Sequence, residues 1–285
     1  VEKRWPFRIH ATYDESIDRI LDVYEQVNRE IPFDGLHWFI DHAETITPRN
    51  IDRIRALGGG LAIQHRMAYQ GEAFVQRYGS EAARHTPPVR RMLQAGVPVG
   101  AGTDATRVAS YNPWVALSWL VTGRTVGGLA LYGEENLLER EEALRLWTQG
   151  SAWFSGDEAN KGTLGVGQLA DFCVLSSDFF AVDDAAIADI TSLLTVVGGQ
   201  VVYGEGDFAP LAPVLPLAMP DWSPVNRFGG YHVGGAATGL TAHAHAHGAG
   251  GCRTHGAHGH AAAHAVPTDA PNAFWGALGC SCFAF

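Results

Sequence analysis

The sequence predicts an α/β protein built on parallel strands, and three observations support this prediction. Four short apolar runs alternate with helix-like segments over roughly the first 125 residues, which is the pattern of βα units. Proline and glycine stand where helices are expected to begin and end. The 285 residues are 46% hydrophobic and 18% charged, which is typical of a globular chain. Four units fit a doubly wound sheet or half of a (β/α)8 barrel, because a whole barrel takes about 250 residues.

The first two units extend to a run of three glycines. Residues 7–10 are predicted as a strand, and Asp14 as the cap of a helix whose apolar residues recur at helical spacing. Residues 37–40 are predicted as the second strand. The following helix opens at Thr47 and Pro48, and the glycines at 58–60 end it.

The third and fourth units repeat this pattern. Residues 61–64 are predicted as a strand, and a helix that opens at Thr86 and Pro87 ends at Gly96. The glycine-rich residues 97–102 form the fourth predicted strand. The apolar residues between 114 and 121 indicate the helix that follows it.

After a further helix over about residues 140–154, the pattern changes to β structure. Residues 171–175 and 192–203 are predicted as strands, and Gly198 and Gly199 as a hairpin turn within the second run. Proline-rich loops follow. The predicted domains are 1–155 for the βα units, 156–228 for a small β unit with its loops, and 229–285 for a low-complexity tail.

The tail supports an alternative function. From Gly229 the composition shifts to glycine, alanine and histidine, with seven histidines between His243 and His264. Such a segment could bind metal, so a non-enzymatic metal-binding or assembly protein is the competing hypothesis. Cys280 and Cys282 could join a metal site, form a redox pair or remain as two spare thiols. Four cysteines in a chain of this length do not predict a disulfide scaffold.

Charge and hydropathy argue against nucleic acid as a partner and against a membrane-spanning segment. The formal net charge of −10 disfavours binding to nucleic acid, because an acidic surface repels phosphates. No run of about 20 apolar residues indicates a membrane-spanning helix.

No apolar signal segment follows Val1, so we expect a cytoplasmic protein. A start at Val1 instead of Met also suggests an incomplete or processed N-terminus.

The ends of the predicted strands hold the candidate chemistry. His10, His42, His65 and Asp104 each follow or end a strand, and the carboxyl ends of barrel strands lie around one rim. Imidazole and carboxylate ligands suit a divalent metal, with zinc favoured. We therefore expect His10, His42 and Asp104 to form a shared metal site. His65 could contact substrate or make a structural hydrogen bond, and Arg107 could bind a substrate carboxylate or pair with an acid.

Three motifs at these positions resemble the later strands of the amidohydrolase superfamily. They are Ile9-His10-Ala11, Asp41-His42-Ala43-Glu44 and Gly102-Thr103-Asp104-Ala105. Residues 140–148, 162–174 and 196–203 are similar to the helix after the barrel and to the return into a small β domain. The resemblance covers about residues 5–225, and the closest branch is that of the N-substituted formamide deformylases. Glu44 lies within the second motif, where we expect a solvated or ion-paired acid.

The resemblance implies a fold and an activity. It implies the C-terminal half of a (β/α)8 TIM barrel, strands five to eight, with part of a small β-sandwich domain. His10 and His42 would be metal ligands, and Asp104 would orient or deprotonate a metal-bound water and could touch the metal. The expected reaction is hydrolysis of a non-peptide carbon–nitrogen bond in a small amide-type substrate.

The chain departs from the family pattern at its start. The His-x-His pair of the family's first strand and the Lys or acid of its fourth have no counterpart before Ile9. The isolated chain is therefore expected to be incomplete and could be inactive by itself. A separate N-terminal half or a homo-oligomer would be its partner, since an isolated half-barrel exposes two sheet edges.

Overall fold

Four parallel strands form the central sheet, in the order in which they occur along the chain. A computed structural model of the protein describes residues 1–105 and 109–214. The strands are β1 (Phe7–Ala11), β2 (Trp38–His42), β3 (Gly60–Gln64) and β4 (Val99–Gly102). The predicted α/β class and the parallel sheet are confirmed. β1 includes His10, β2 ends at His42 and β3 ends at Gln64, all of which the sequence placed at strand ends. The candidate site residues therefore lie at the carboxyl ends of the sheet strands.

Helices connect the strands and follow the sheet. They are α1 (Asp14–Glu30), α2 (Pro48–Ala56), α3 (Met67–Tyr78), α4 (Ser80–Ala83), α5 (Val89–Ala95), α6 (Pro113–Thr122), α7 (Arg140–Arg145) and α8 (Ser151–Phe154). A π-helical turn, Leu146–Gly150, joins the last two. The prediction had no helix at α3, and it began α5 too early. Pro88 disfavours the helical conformation at Pro87, the residue before it, and the helix begins after both prolines. No helix of the described residues is long and apolar enough to cross a membrane.

A smaller antiparallel sheet follows these helices. It contains β5 (Phe172–Leu175), β6 (Ser192–Val197) and β7 (Gln200–Gly204). Gly198 and Gly199 connect the last two strands, with φ angles of 57° and 77°. Two successive residues with positive φ are the requirement of a type I′ hairpin turn, which glycine meets without steric cost. The predicted hairpin is therefore confirmed.

Asp14 caps a different helix from the one predicted. It is the first residue of α1, and its Oδ1 accepts hydrogen bonds from the Thr47 backbone N–H at 2.7 Å and from Asn50 Nδ2 at 2.9 Å. Thr47 is the N-cap residue of α2. A carboxylate at that position also interacts favourably with the helix dipole. Asp14 thus joins the start of α1 to the start of α2.

The central sheet has one apolar face and one mixed face. Trp38 is fully buried against Phe7, Tyr24 and Phe33, on the side where α1 packs. The Phe154 ring of α8 packs edge-on against Phe39, which points to the opposite face because side chains alternate along a strand.

Glycines make room for α8 on that mixed face. A Cβ on Gly60 would overlap the Trp153 ring, and one on Gly100 would overlap the Phe154 ring. His10, Asp41 and Gln64 belong to the mixed face by the same alternation. This face therefore has aromatic packing at one end and polar side chains toward the carboxyl ends of the strands.

Candidate functional site

The structure brings His10, His42 and Asp104 together at the carboxyl ends of β1, β2 and β4. The ring centroids of His10 and His42 are 4.4 Å apart, at an interplanar angle of 71°. His42 Nδ1 lies 3.9 Å from Asp104 Oδ2. The register alone does not bring the two rings together, since His10 is paired with Asp41 and His42 with Ala11. His42 departs from strand geometry, with a positive φ of 82°. His42 therefore stands between the other two side chains.

Burial sets the charge state of His42. Its side chain is 11% exposed, whereas that of Asp104 is 53% exposed. Burial, together with the neighbouring His10, lowers the pKa of His42 to about 4. The imidazole is therefore neutral at pH 7, which is the form that can bind a metal ion. Burial also raises the pKa of the adjacent Asp41, although Arg8 lies 3.6 Å from its carboxylate.

The backbone is in an unusual conformation at the same place. His42, Ala43 and Asp104 have φ angles of 82°, 54° and 48°. Non-glycine residues rarely adopt positive φ, and such strain persists only where surrounding contacts fix it. Backbone hydrogen bonds from Ala43 N to Ala11 O, at 2.9 Å, and from Thr45 N to Thr12 O, at 3.2 Å, hold the turn after β2 against β1. The site is thus built on a constrained turn.

Glu44 is not the solvated or ion-paired acid that the sequence led us to expect. Glu44 is buried, at 3% exposure, and this burial raises the pKa of its carboxyl to about 7. Gln64 Nε2 donates to Glu44 Oε1 at 2.7 Å and also lies 3.2 Å from His42 Nδ1. The other Glu44 oxygen has no hydrogen-bond partner among residues 1–105 and 109–214. Sequence reasoning missed Gln64, although its place at the end of β3 matched that of the histidines on β1 and β2.

His65 lies at the same edge but is completely buried. Burial lowers the pKa of its imidazole to about 4, and its ring contacts Tyr69. The nearby Gly102 backbone raises the pKa of His65 and so opposes part of this shift. Neither ring nitrogen has a partner at hydrogen-bond geometry within the described residues. Arg107, the histidine-rich tail, Cys280 and Cys282 lie outside the described residues. Substrate contacts by His65 and Arg107 therefore stay predictions.

The donor chemistry of the cluster fits a divalent cation, whereas the placement of its three side chains does not let all of them hold one ion. Two imidazoles and one carboxylate are nitrogen and oxygen ligands of the kind that zinc and other first-row metals accept. Within residues 1–105 and 109–214, no group of three or more His, Cys, Asp or Glu side chains is placed to hold a metal ion. Catalytic zinc sites use about three protein ligands. These residues can therefore supply part of such a site.

Comparison with known proteins places these motifs in a family. The model of the amidohydrolase family matches residues 1–203 of the chain. This match includes the central sheet, the smaller sheet up to the last residue but one of β7, and the three residues of the cluster. It extends over more than half of the 285 residues.

Individual relatives agree with this match. The amidohydrolase YtcJ of Bacillus subtilis (strain 168) is 28% identical over 206 residues, covering 71% of this chain and 38% of its own length. The N-substituted formamide deformylase of Arthrobacter pascens is 30% identical over 198 residues, covering 68% and 36%. This chain therefore spans little more than a third of the length of these curated relatives.

A solved structure shares the fold. It is a metal-dependent hydrolase from Pyrococcus horikoshii OT3, with a TM-score of 0.53 and 25% sequence identity. The alignment covers 62% of this chain and 35% of that chain. The similarity therefore again extends over most of this chain and only a part of the other protein.

Proposed function

The chain belongs to the amidohydrolase family, and from this premise we propose that it hydrolyses carbon–nitrogen bonds of small, non-peptide, amide-type substrates with a divalent metal ion. The observation that supports this most directly is the cluster of His10, His42 and Asp104 at one edge of the sheet. The formamide deformylase relative makes N-substituted formamides the first substrate class to test. We take β1 to β4 as strands five to eight of a (β/α)8 barrel, and β5 to β7 as part of the small β domain.

His10 and His42 would hold the metal ion, and Asp104 would lie beside it. The neutral imidazole of His42 needs no proton loss before it binds a cation. When bound, the ion supplies Lewis-acid polarisation of the scissile carbonyl and makes a water molecule more acidic. Zinc is our preferred ion because it accepts both imidazole and carboxylate ligands.

Asp104 would transfer the protons of the reaction. Its side chain is half exposed, so a carboxylate oxygen can reach a water molecule in the open part of the site. Asp104 Oδ2 would accept a proton from the attacking water and later return it to the leaving nitrogen, which is general acid–base catalysis. Of the two predicted substrate contacts, Arg107 stays our candidate by its place in the sequence, whereas the complete burial of His65 disfavours a direct contact.

The remaining metal ligands would come from the barrel strands that precede β1 in the family. The matched relatives are longer than this chain, and the family's first-strand histidines have no counterpart before Ile9. They would be supplied by a segment or chain that carries the other barrel strands, or by a second copy of this chain. In either case the added strands would pair with the edge of β1 that has no strand partner in the described part of the chain.

Metal content and hydrolysis together test the proposal. The wild-type chain is loaded with Zn²⁺, and formate release from an N-substituted formamide is measured with the chain alone and with a chain that supplies the N-terminal strands of a relative. Asp104→Asn should retain zinc and lose about 10²–10⁴-fold in turnover, because the amide cannot accept the proton. His10→Ala and His42→Ala should lose zinc and turnover together.

Asp52→Asn is the matched control, since Asp52 is an exposed acid on α2 that pairs with Arg91. It should leave zinc content and turnover unchanged. The proposal is wrong if Asp104→Asn keeps wild-type turnover, or if His42→Ala keeps the zinc that the wild type holds.

A further inference from the structure

A cation lies at the same edge of the central sheet as the candidate cluster. Arg66 is the second residue after β3 and directly precedes α3. It is half-buried and stands between two buried residues, His65 and Met67. In parallel sheets of this kind, ligands bind outside the carboxyl ends of the strands, and the loops that follow the strands contact them. Arg66 therefore places a permanent positive charge where a substrate would lie.

The start of α3 orients the Arg66 guanidinium. Arg66 Nε donates to Gln70 Oε1 at 2.9 Å, and the Gln70 backbone N–H donates to Arg66 O at 3.0 Å. Gln70 is 7% exposed, so its side chain is itself held in place by packing. Both bonds belong to the first turn of the helix. A side chain that is oriented in advance loses less conformational freedom when it binds a ligand.

The charge of Arg66 also acts on the ends of the neighbouring strands. Tyr13 is the N-cap residue of α1, just after β1, while His42 and Glu44 end or follow β2. Burial is the main cause of the shifted pKa values of these three side chains, and the positive charge of Arg66 lowers each of them. Such an effect falls with distance. Arg66 therefore lies near the ends of β1 and β2 as well as that of β3.

We propose that Arg66 is a specificity-determining residue that binds a carboxylate of the substrate, so that the substrates are amides whose nitrogen substituent bears a carboxylate. A planar guanidinium recognises a carboxylate through two parallel N–H···O bonds. The formal net charge of the chain, −10, disfavours an anionic ligand in general, so a local cation is needed to hold it. This inference rests on the proposed function and names a part of the substrate that does not react.

Binding of a matched pair of compounds to the full, metal-free chain tests the contact directly. N-formylphenylalanine and its methyl ester have almost the same size and differ in charge. NMR titration should show that the acid binds about 10–100-fold more tightly than the ester, the usual effect of hydrogen bonds to an ionised group. Arg66→Gln should abolish this preference. Arg66→Lys should lower it without abolishing it, because lysine keeps the charge but lacks the planar pair of donors.

Formate release tests the consequence for catalysis. It is measured with Zn²⁺ and a chain that supplies the N-terminal strands of a relative. Arg66→Gln should raise KM for the acid about 10–100-fold and leave its kcat unchanged, because the lost contact stabilises the bound substrate and the transition state equally. Hydrolysis of the ester should not change, whereas a merely structural role of Arg66 would slow both reactions alike. Arg55→Gln is the matched control, since Arg55 is an exposed arginine of α2, and it should behave as the wild type.

The outcomes separate this inference from the proposed function. If the wild-type chain binds the acid no more tightly than the ester, or if Arg66→Gln keeps the wild-type preference, Arg66 does not bind a substrate carboxylate. Should Arg66→Gln not fold, an unchanged preference in Arg66→Lys overturns the inference instead. If neither compound releases formate, the proposed function is overturned, while the binding of acid and ester still decides the role of Arg66.

Discussion

Glu44 shows at the scale of one residue how burial changes chemistry. Its carboxyl has a pKa raised by burial from 4.5 to about 7. Below about pH 4.5 it is protonated in both the folded and the unfolded chain, so it adds no pH dependence there. As the pH rises toward 7 the unfolded chain ionises first, and folding loses free energy. The loss levels off above pH 7 at about 3 kcal/mol, since each pKa unit is worth about 1.4 kcal/mol.

Glu44→Gln should remove this pH-dependent loss. Urea unfolding of the metal-free chain gives the free energy of unfolding of both proteins at about pH 4 and about pH 8. The variant should gain up to about 3 kcal/mol relative to the wild type between the two pH values. A constant difference at both pH values would show that Glu44 is ionised in the folded protein as readily as in the unfolded chain.

Residue types at the strand ends could be predicted, while their partners could not. His10, His42 and Asp104 were identified because each ends or follows a strand, and the structure places them together. Glu44 and Gln64 were not identified as a pair because their bond connects residues 20 positions apart. Polar residues after a strand are usually exposed, whereas Glu44 is buried after a turn whose positive φ angles at His42 and Ala43 the sequence does not mark.

At the scale of elements, a glycine allows the π-helical turn to approach the edge of β4. A Cβ on Gly150 would overlap the backbone oxygen of Val99, and Ser151 Oγ donates to Ala101 O at 2.9 Å. Gly150→Ala should gain about 1 kcal/mol from helix propensity, yet the backbone oxygen has little freedom to move. We expect a net destabilisation of about 1–3 kcal/mol in urea unfolding.

The control for this substitution is Gly165→Ala. Its new methyl group would make only an ordinary contact, 3.5 Å from Thr163 Oγ1. The free energy of unfolding should stay within about 0.5 kcal/mol of the wild type. If Gly150→Ala were as mild, the turn would not be packed closely against β4.

Asp14 stabilises a pair of elements through one carboxylate. Asp14→Ala removes the acceptor of the Thr47 N–H and of Asn50 Nδ2, and the Asn50 side chain is fully buried. We expect a loss of about 2 kcal/mol, from a lost cap and an unsatisfied buried donor. Glu15→Ala, at the neighbouring exposed acid of α1, should change the unfolding free energy by less than about 0.5 kcal/mol. Equal effects of the two substitutions would contradict this assignment.

The elements themselves were predictable where their boundaries have chemical markers. Pro48, Gly96 and the pair Gly198 and Gly199 lie at the ends of elements, as the sequence indicated. The helix α3 was missed because it begins directly after the site residues and has no capping side chain. Its position depends on packing of residues such as Met67 and Phe74, which the local sequence does not mark as a helix start.

At the scale of the whole molecule, residues Val1–Pro213 form a compact unit of their own. The family match ends within it, at residue 203. The candidate site also lies within this unit, since all of its described residues belong to strands of the central sheet or to the turns that follow them. The fold and the site should therefore not depend on the histidine-rich residues that follow Pro213.

A truncated chain ending at Pro213 tests this independence. It should unfold in urea with the same midpoint as the full chain, because it retains both sheets and the contacts that the structure describes between their residues. If His10 and His42 hold the catalytic zinc, loss of the seven tail histidines should not reduce the zinc that survives dialysis against a weak chelator. His42→Ala in the truncated chain should then remove that zinc. Loss of all zinc on truncation alone would assign the metal to the tail and favour the non-enzymatic metal-binding function.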